Sequence, residues 1–354
     1  MAPTFAAARR LLEQAAADKA FPAAVIEVGS AHQPLWQQAF GHLSYQPGAA
    51  ATRDDTVFDL ASLTKVLATT PLVMRLVERG GLDLDDPVST RVSLWRDDDG
   101  IAPVTIRDLL AHCSGLPAHV PFFKEHKGRA AFENAICSTA LIYPPRSKSI
   151  YSDLGFMLLG FILEDFGTPL SLQFDTLRGQ MGGIQDLQFH PPAVWLPRTA
   201  PTRHDEWRGR ALVGEVDDDN AWALGGVAGH AGLFGTAASV GECARHLLQI
   251  LEGRQGAFQE QTLRTFISRR TDVAGSSRGL GWDTMLPTSS CGTRISPRAF
   301  GHAGFTGTSL WIDPDAAIYV VLLTNRVHPT PDNEAIKNVR PALHDAVMAE
   351  LGAS

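Results

Sequence analysis

Thr306-Gly307-Thr308-Ser309-Leu310-Trp311-Ile312-Asp313-Pro314-Asp315-Ala316-Ala317-Ile318-Tyr319-Val320-Val321-Leu322-Leu323-Thr324 is the stretch that decides the fold. Two strand-like runs, Thr306–Ile312 and Ala317–Thr324, flank Asp313-Pro314-Asp315, which has the residues of a tight turn. Strands joined so closely run antiparallel. A further run, Leu280–Leu286, precedes them. Far away in sequence, Ala23–Gly29 and Leu35–Phe40 are joined by the turn-like His32-Gln33-Pro34. Strand signals therefore sit in the first and last parts of the chain.

Helical composition or periodicity marks 5–18 and Ser62–Arg79, the latter stopped by Gly80 and Gly81. Pro71 predicts a kink there, or two abutting helices. A short helix starts at Thr105, and others follow at 129–138, 153–166 and 169–179. Residues 181–220 are loop-rich, with Pro191, Pro192, Pro197 and Pro201. Helices at 238–252, 258–268 and 333–351 complete the pattern. The expectation is an α+β fold of the α/β sandwich type, an antiparallel sheet flanked by helices with an all-helical insertion. Residues 1–66 and 225–354 form the sheet lobe, 67–224 a mostly helical lobe, and the active site lies in the cleft between them.

Composition narrows the function. At 354 residues the chain exceeds the ~250–300 at which one core usually stops growing. Apolar residues are 44% and charged residues 19%, which excludes wholesale disorder. Net charge is 31 − 38 = −7, the wrong sign for a nucleic-acid footprint. The longest strongly apolar run, Leu154–Leu163, is ten residues, against about 20 for a membrane span. Arg9 and Arg10 are followed by Glu13 and Asp18 rather than an apolar signal core, so the chain as written reads as cytoplasmic. A chain stripped of its leader would read the same. Cys113, Cys137, Cys243 and Cys291 form no C-x-x-C, and the 12 histidines no H-E-x-x-H, so neither metal nor cofactor is expected.

Asp59-Leu60-Ala61-Ser62-Leu63-Thr64-Lys65 is the sharpest local feature. On a helix, Ser62 and Lys65 share a face. A serine hydroxyl needs a base before it attacks. A lysine serves only if its surroundings hold it neutral, a drop of three pKa units from about 10.4. With 20 Ser and 6 Lys, chance supplies about 0.3 such spacings per chain, so S-x-x-K alone decides nothing.

Two further segments change that balance. Tyr151-Ser152-Asp153 precedes a helix, and Phe300-Gly301-His302-Ala303-Gly304-Phe305-Thr306-Gly307 opens a C-terminal strand. Ser62-x-x-Lys65, Tyr151-x-Asp153 and His302-x-Gly304, in this order, resemble the serine beta-lactamase and penicillin-binding-protein superfamily. The likeness is to its class C-like branch, which includes esterases and D-amino-acid peptidases. Residues 105–117, 225–234 and 308–314 look family-like too. The resemblance implies a serine hydrolase with Ser62 acylated, Lys65 as its base partner, and Tyr151 relaying the proton as phenolate or through Lys65. It also implies an oxyanion hole from the backbone N–H groups of Ser62 and Phe305, and substrate contacts from Asp153, His302, Ala303 and Gly304.

The chain departs from the family pattern where lactam-hydrolysing members carry Lys-Thr-Gly and Asn. His302 holds a carboxylate only when protonated, which predicts firmer lactam binding below neutrality. Ala303 has no hydroxyl, and Asp153 tends to keep Lys65 charged. The expected substrate is a small uncharged ester or amide. Beta-lactamase or D-stereospecific peptidase activity is the alternative, and a non-catalytic penicillin-binding or sensor module a third reading. The sequence does not set the oligomeric state. Gly275-Ser276-Ser277-Arg278-Gly279 matches G-x-S-x-G but lacks the strand-to-helix setting of a nucleophile elbow. Cys113 reads as a small buried thiol. Asp97–Asp99 and Asp217–Asp219 read as solvated loops, and the place of His230 stays open.

Overall fold

The structure is a computed structural model that describes residues 3–97 and 103–352. Among these residues a six-stranded antiparallel sheet runs in the order β2-β1-β11-β10-β9-β8. The strands are β1 (Ala23–Ser30), β2 (Pro34–Gly41), β8 (Asp283–Thr284), β9 (Phe300–Ala303), β10 (Ser309–Asp313) and β11 (Ile318–Thr324). The first and last parts of the chain meet inside it, where Ala24 pairs with Thr324 and Ser30 with Ile318. Strands β3 (Phe58–Asp59), β7 (Leu233–Gly235) and β4 (Leu187–Phe189) form a small second sheet, and β5 (His204–Asp205) pairs with β6 (Arg210–Ala211).

β1 and β11 are apolar almost throughout because both faces of the sheet are covered. Successive side chains point to opposite faces. Val25, Tyr319, Val321 and Leu323 enter the main core. Ala24, Ile26, Val28, Val320 and Leu322 join a second cluster with residues of α1 (Ala6–Ala17) and α10 (Ile336–Leu351). On the main-core face, α8 (Ala237–Leu251) packs on β1 and β11. It is fastened there by Glu27, which accepts from Arg245 at 2.9 Å and from the Tyr319 hydroxyl at 2.6 Å.

The middle of the chain is mostly helical, with the short strands β4, β5 and β6 in addition. Its helices are α2 (Thr70–Glu78), α3 (Ile106–Leu110), α4 (Arg129–Cys137), α5 (Asp153–Glu164), α6 (Leu170–Gln180) and α7 (Asp219–Ala223). α9 (Glu260–Ile267) follows α8. The apolar run Leu154–Leu163 is α5, buried all round, and no helix among the described residues is long and apolar enough to cross a membrane.

Two local expectations change. The strand expected at Leu280–Leu286 is reduced to Asp283–Thr284, because Gly281, at φ 85°, breaks it. His302-x-Gly304 ends β9 instead of opening the next strand: Gly304–Gly307 is a turn, closed by Gly307 N–H to Gly304 O at 3.1 Å, and β10 starts only at Ser309. The helix expected from Ser62 runs through a π-helical turn, Lys65–Thr69, before α2. That turn absorbs the disturbance expected at Pro71, and such turns are frequent at functional sites.

Candidate active site

The three motif segments converge. Ser62 Oγ lies 3.0 Å from Lys65 Nζ and 2.8 Å from the Tyr151 hydroxyl. Lys65 is fully buried and spends its other two donors on Asp153 Oδ1 at 2.7 Å and the His230 carbonyl at 3.1 Å. Two cavities, of about 390 and 320 Å³, meet at Ser62, Tyr151 and Phe305. His302, Ala303 and Gly304 line the smaller one, and Asp153 and His230 the larger.

The nucleophile candidate is held in a strained bend. Ala61, just before Ser62, has φ 47°, a left-handed conformation unfavourable for a residue with a Cβ. Its N–H donates to Asp59 Oδ1 at 2.8 Å, while Asp59 Oδ2 accepts from Asp217 N–H at 2.6 Å. Burial first, and the charge of Asp217 next, push the Asp59 carboxyl up to about 7.

The β9–β10 turn is stitched to the same bend. Thr306 and Thr308 donate their hydroxyls to the carbonyls of Asp59 and Leu60, at 2.8 and 3.0 Å. Gly304 is required by closeness: a Cβ there would stand 2.1 Å from Thr308 Oγ1 and 2.7 Å from Leu60 O. Phe305 borders both cavities, its side chain half exposed with the Arg326 guanidinium over its ring.

The family-like stretches prove to be the supports of these motifs. His112 Nδ1 accepts Ser152 N–H at 3.0 Å, and the Pro117 carbonyl accepts the Ser152 hydroxyl at 2.7 Å. Residues 112–118 thus clamp the segment bearing Tyr151. Gly229 lets its loop touch α5, since a Cβ there would meet Phe156 O at 2.0 Å. That contact sets the His230 carbonyl against Lys65, and the His230 ring is fixed by Asp218 at 2.8 Å.

Charge states follow from burial and neighbours. For Lys65, burial is the largest single influence and pulls its pKa down, but Asp153 and then Tyr151 outweigh it, and the net direction is up. Burial pushes the Tyr151 phenol up, which keeps it a hydroxyl. His302 is buried and drops well below the ordinary histidine value, first by burial and then by the charge of Arg278. The expected protonation of His302 near neutrality is thereby corrected.

The cation that His302 lacks comes from a residue of the Gly275–Gly279 segment, which in sequence reads only as a failed nucleophile elbow. Arg278 sits 5.2 Å over the Tyr151 ring and lines the smaller cavity. Its neighbour Ser277 donates to Asp283 Oδ1 at 2.5 Å, on a loop between α9 and β8. A second correction concerns Asp217–Asp219. They are not a solvated loop: Asp217 is buried, Asp218 pairs with His230, and Asp219 accepts from Arg203 at 2.6 Å and Arg208 at 2.9 Å. All three line the larger cavity. The overlooked signal was Arg203 and Arg208 just upstream. Of Asp97–Asp99, Asp97 accepts from the Ser89 hydroxyl at 2.6 Å, and Asp98 and Asp99 lie outside the described residues. Cys113 is buried, its thiol pushed up to about 12 mainly by burial.

Comparison with known proteins agrees with this geometry. The Beta-lactamase family model matches residues 8–344. The chain belongs to the beta-lactamase family. Like its family it is a serine hydrolase with a beta-lactamase-like α+β fold. A Salmonella gallinarum relative, provisionally named D-alanyl-D-alanine carboxypeptidase, is 30% identical over 90% of this chain and 82% of its own length. Among solved structures, EstCE1, a hydrolase with promiscuous acyltransferase activity, superposes with a TM-score of 0.76 at 23% identity, covering 97% of this chain and 98% of its own. The LovD6 mutant of simvastatin synthase (LovD) from Aspergillus terreus gives 0.74 at 20% identity, covering 98% and 97%. At such identities the two structures speak for the beta-lactamase fold alone.

Proposed function

We propose that this beta-lactamase-family hydrolase acts through an acyl-enzyme on Ser62, on small ester and amide substrates. The observation that carries the reading is Ser62 Oγ held at once by Lys65 and Tyr151 where two cavities meet. Lys65, once it has released its proton to solvent, takes the Ser62 proton as Oγ attacks the carbonyl, and so ends the step charged. Tyr151, a hydroxyl, then donates to the leaving group and is reprotonated from Lys65. The N–H groups of Ser62 and Phe305 receive the developing oxyanion, the interaction that usually contributes most to rate.

A second reading is favoured by Arg278. The neutral His302 and Ala303 offer a substrate carboxylate little, yet Arg278 is permanently charged and borders the same cavity as Arg326 and Lys337. A D-amino-acid peptide with a free C-terminal carboxylate fits there, in keeping with the provisional name of the Salmonella relative.

One experiment covers both readings. A fluorophosphonate should label Ser62 and no other residue, shown by peptide mapping. Ser62→Ala, Lys65→Ala and the double variant should fall to one common floor, since residues acting as a unit are non-additive. An adduct on Ser277 or Cys113 rejects the assignment. p-Nitrophenyl acetate should be turned over well ahead of a chromogenic cephalosporin. A D-Ala-D-Ala peptide cleaved faster than the ester, with the advantage lost in Arg278→Gln, selects the second reading.

A further inference from the structure

Two guanidinium groups that also line the smaller cavity hold the β9–β10 turn. Arg340, on α10, donates from Nη2 to the carbonyls of Gly304 at 2.9 Å and Thr308 at 2.8 Å. Arg326 donates from Nε to the Phe305 carbonyl at 2.8 Å. Arg340 is 8% exposed, and among the described residues neither arginine forms an ion pair with a carboxylate. A buried cation without a counter-ion is costly. Here its charge is directed at the two carbonyls that flank the turn. Burial, and the charge of Arg326 after it, bring the Arg340 guanidinium down to about 10, so it remains charged at pH 8.

The decisive detail is covalent. The carbonyl of Gly304 and the N–H of Phe305 belong to one peptide group. Among the described residues that N–H donates to no protein acceptor, and Phe305 borders Ser62 in both cavities. A charge-assisted bond to an amide oxygen draws electron density from the nitrogen side, and linked hydrogen bonds strengthen one another by roughly 10–30%. We propose that Arg340 is a positioning residue that both fixes and polarises the Gly304–Phe305 peptide, making the Phe305 N–H a stronger donor to the acyl oxygen as charge develops there. No bond or proton moves through Arg340. The inference rests on the reading of Phe305 N–H as an oxyanion donor.

The test separates the two. Phe305 is the second residue of the Gly304–Gly307 turn, where proline is favoured, so Phe305→Pro deletes the N–H and preserves the bend. It should lower kcat on p-nitrophenyl acetate by about 10²–10³-fold, the effect of one oxyanion donor. A fully active Phe305→Pro rejects the oxyanion reading and the inference with it. Arg340→Gln should lower kcat about ten- to a hundredfold at nearly constant KM. It should weaken an alkylboronic acid inhibitor by the same factor and raise the carbonyl stretching frequency of the acyl-enzyme. Arg340→Lys, which keeps the charge but not the guanidinium's two contacts, should restore only part of each quantity, leaving the carbonyl frequency between those of the parent and Arg340→Gln. If Phe305→Pro is impaired while Arg340→Gln leaves kcat, boronate affinity and carbonyl frequency unchanged, Arg340 has no part in the hole and only the inference falls. The inference also falls if the loss appears only with substrates carrying a carboxylate, for then Arg340 acts by direct contact. Should Arg340→Gln not fold, the frequency in Arg340→Lys decides: no displacement from the parent overturns the proposal.

Discussion

Asp153 is the residue on which the chemistry of this site turns. Its carboxylate stands 2.7 Å from Lys65 and raises the lysine's proton affinity against the downward pull of burial. A base held that way is fully free only at higher pH. Replacing Asp153 by Asn removes the main raising influence, so the Lys65 pKa falls. The acid limb of kcat/KM on a neutral ester should therefore move to lower pH, which a profile from pH 5 to 10 will show. A limb that stays in place means the Lys65–Asp153 pair is not the titrating unit. Most of this was legible in the sequence, because Ser62, Lys65, Tyr151 and Asp153 stand in short motifs. Arg278 was not, since its role depends on which loop folds back over Tyr151, and no local spacing encodes that. The three aspartates 217–219 were misread for a related reason: the arginines that neutralise Asp219 lie 11 and 16 residues upstream.

At the scale of elements, the β9–β10 turn and the strained bend at Ala61 behave as one piece. Two threonine hydroxyls and one glycine hold them together. Adding a methyl at Gly304 forces that atom against Thr308 Oγ1 and the Leu60 carbonyl, at 2.1 and 2.7 Å. Neither contact is with the free end of a long side chain, so the turn must retreat. Gly304→Ala should lose at least tenfold in kcat while the unfolding midpoint changes little, because the turn lies at the cleft and not under the core. A kcat equal to the parent shows that the turn has slack. Helices were the most readable elements: α5, α8 and α10 fall within about three residues of where periodicity puts them. The turn was not anticipated: its residues were read as opening a strand, because Gly304 and Gly307 mark a turn only when the neighbouring bend is known.

For the molecule as a whole, the tie between sheet and helix layer is polar as well as apolar. Glu27, Tyr319 and Arg245 come from β1, β11 and α8 and meet in the interior. Gly241 on α8 makes room for them: a Cβ there would stand 2.0 Å from Glu27 Oε1. Gly241→Ala should destabilise the protein by about 1–3 kcal/mol, as overpacking does, read from urea unfolding followed by far-ultraviolet dichroism. Unchanged stability would mean that α8 can shift on the sheet without cost. The broad architecture was readable because strand signals cluster in the first and last parts of the chain, whereas the pairing inside the sheet, with β1 beside β11, is visible only in three dimensions.

That pairing joins residues 300 positions apart, Ala24 to Thr324. A sheet so assembled has a high contact order, and closing long loops before any pairing rewards them makes folding slow. Synthesis proceeds from the N-terminus at roughly 5–20 residues per second. Ser62 therefore leaves the ribosome well before β9, the turn that follows it and α10 exist. Until they arrive, the serine has neither its bend braced by Thr306 and Thr308 nor the turn that carries Phe305 beside it. A nascent or truncated chain carries the nucleophile in an inert form, so reactivity is delivered only with a finished polypeptide.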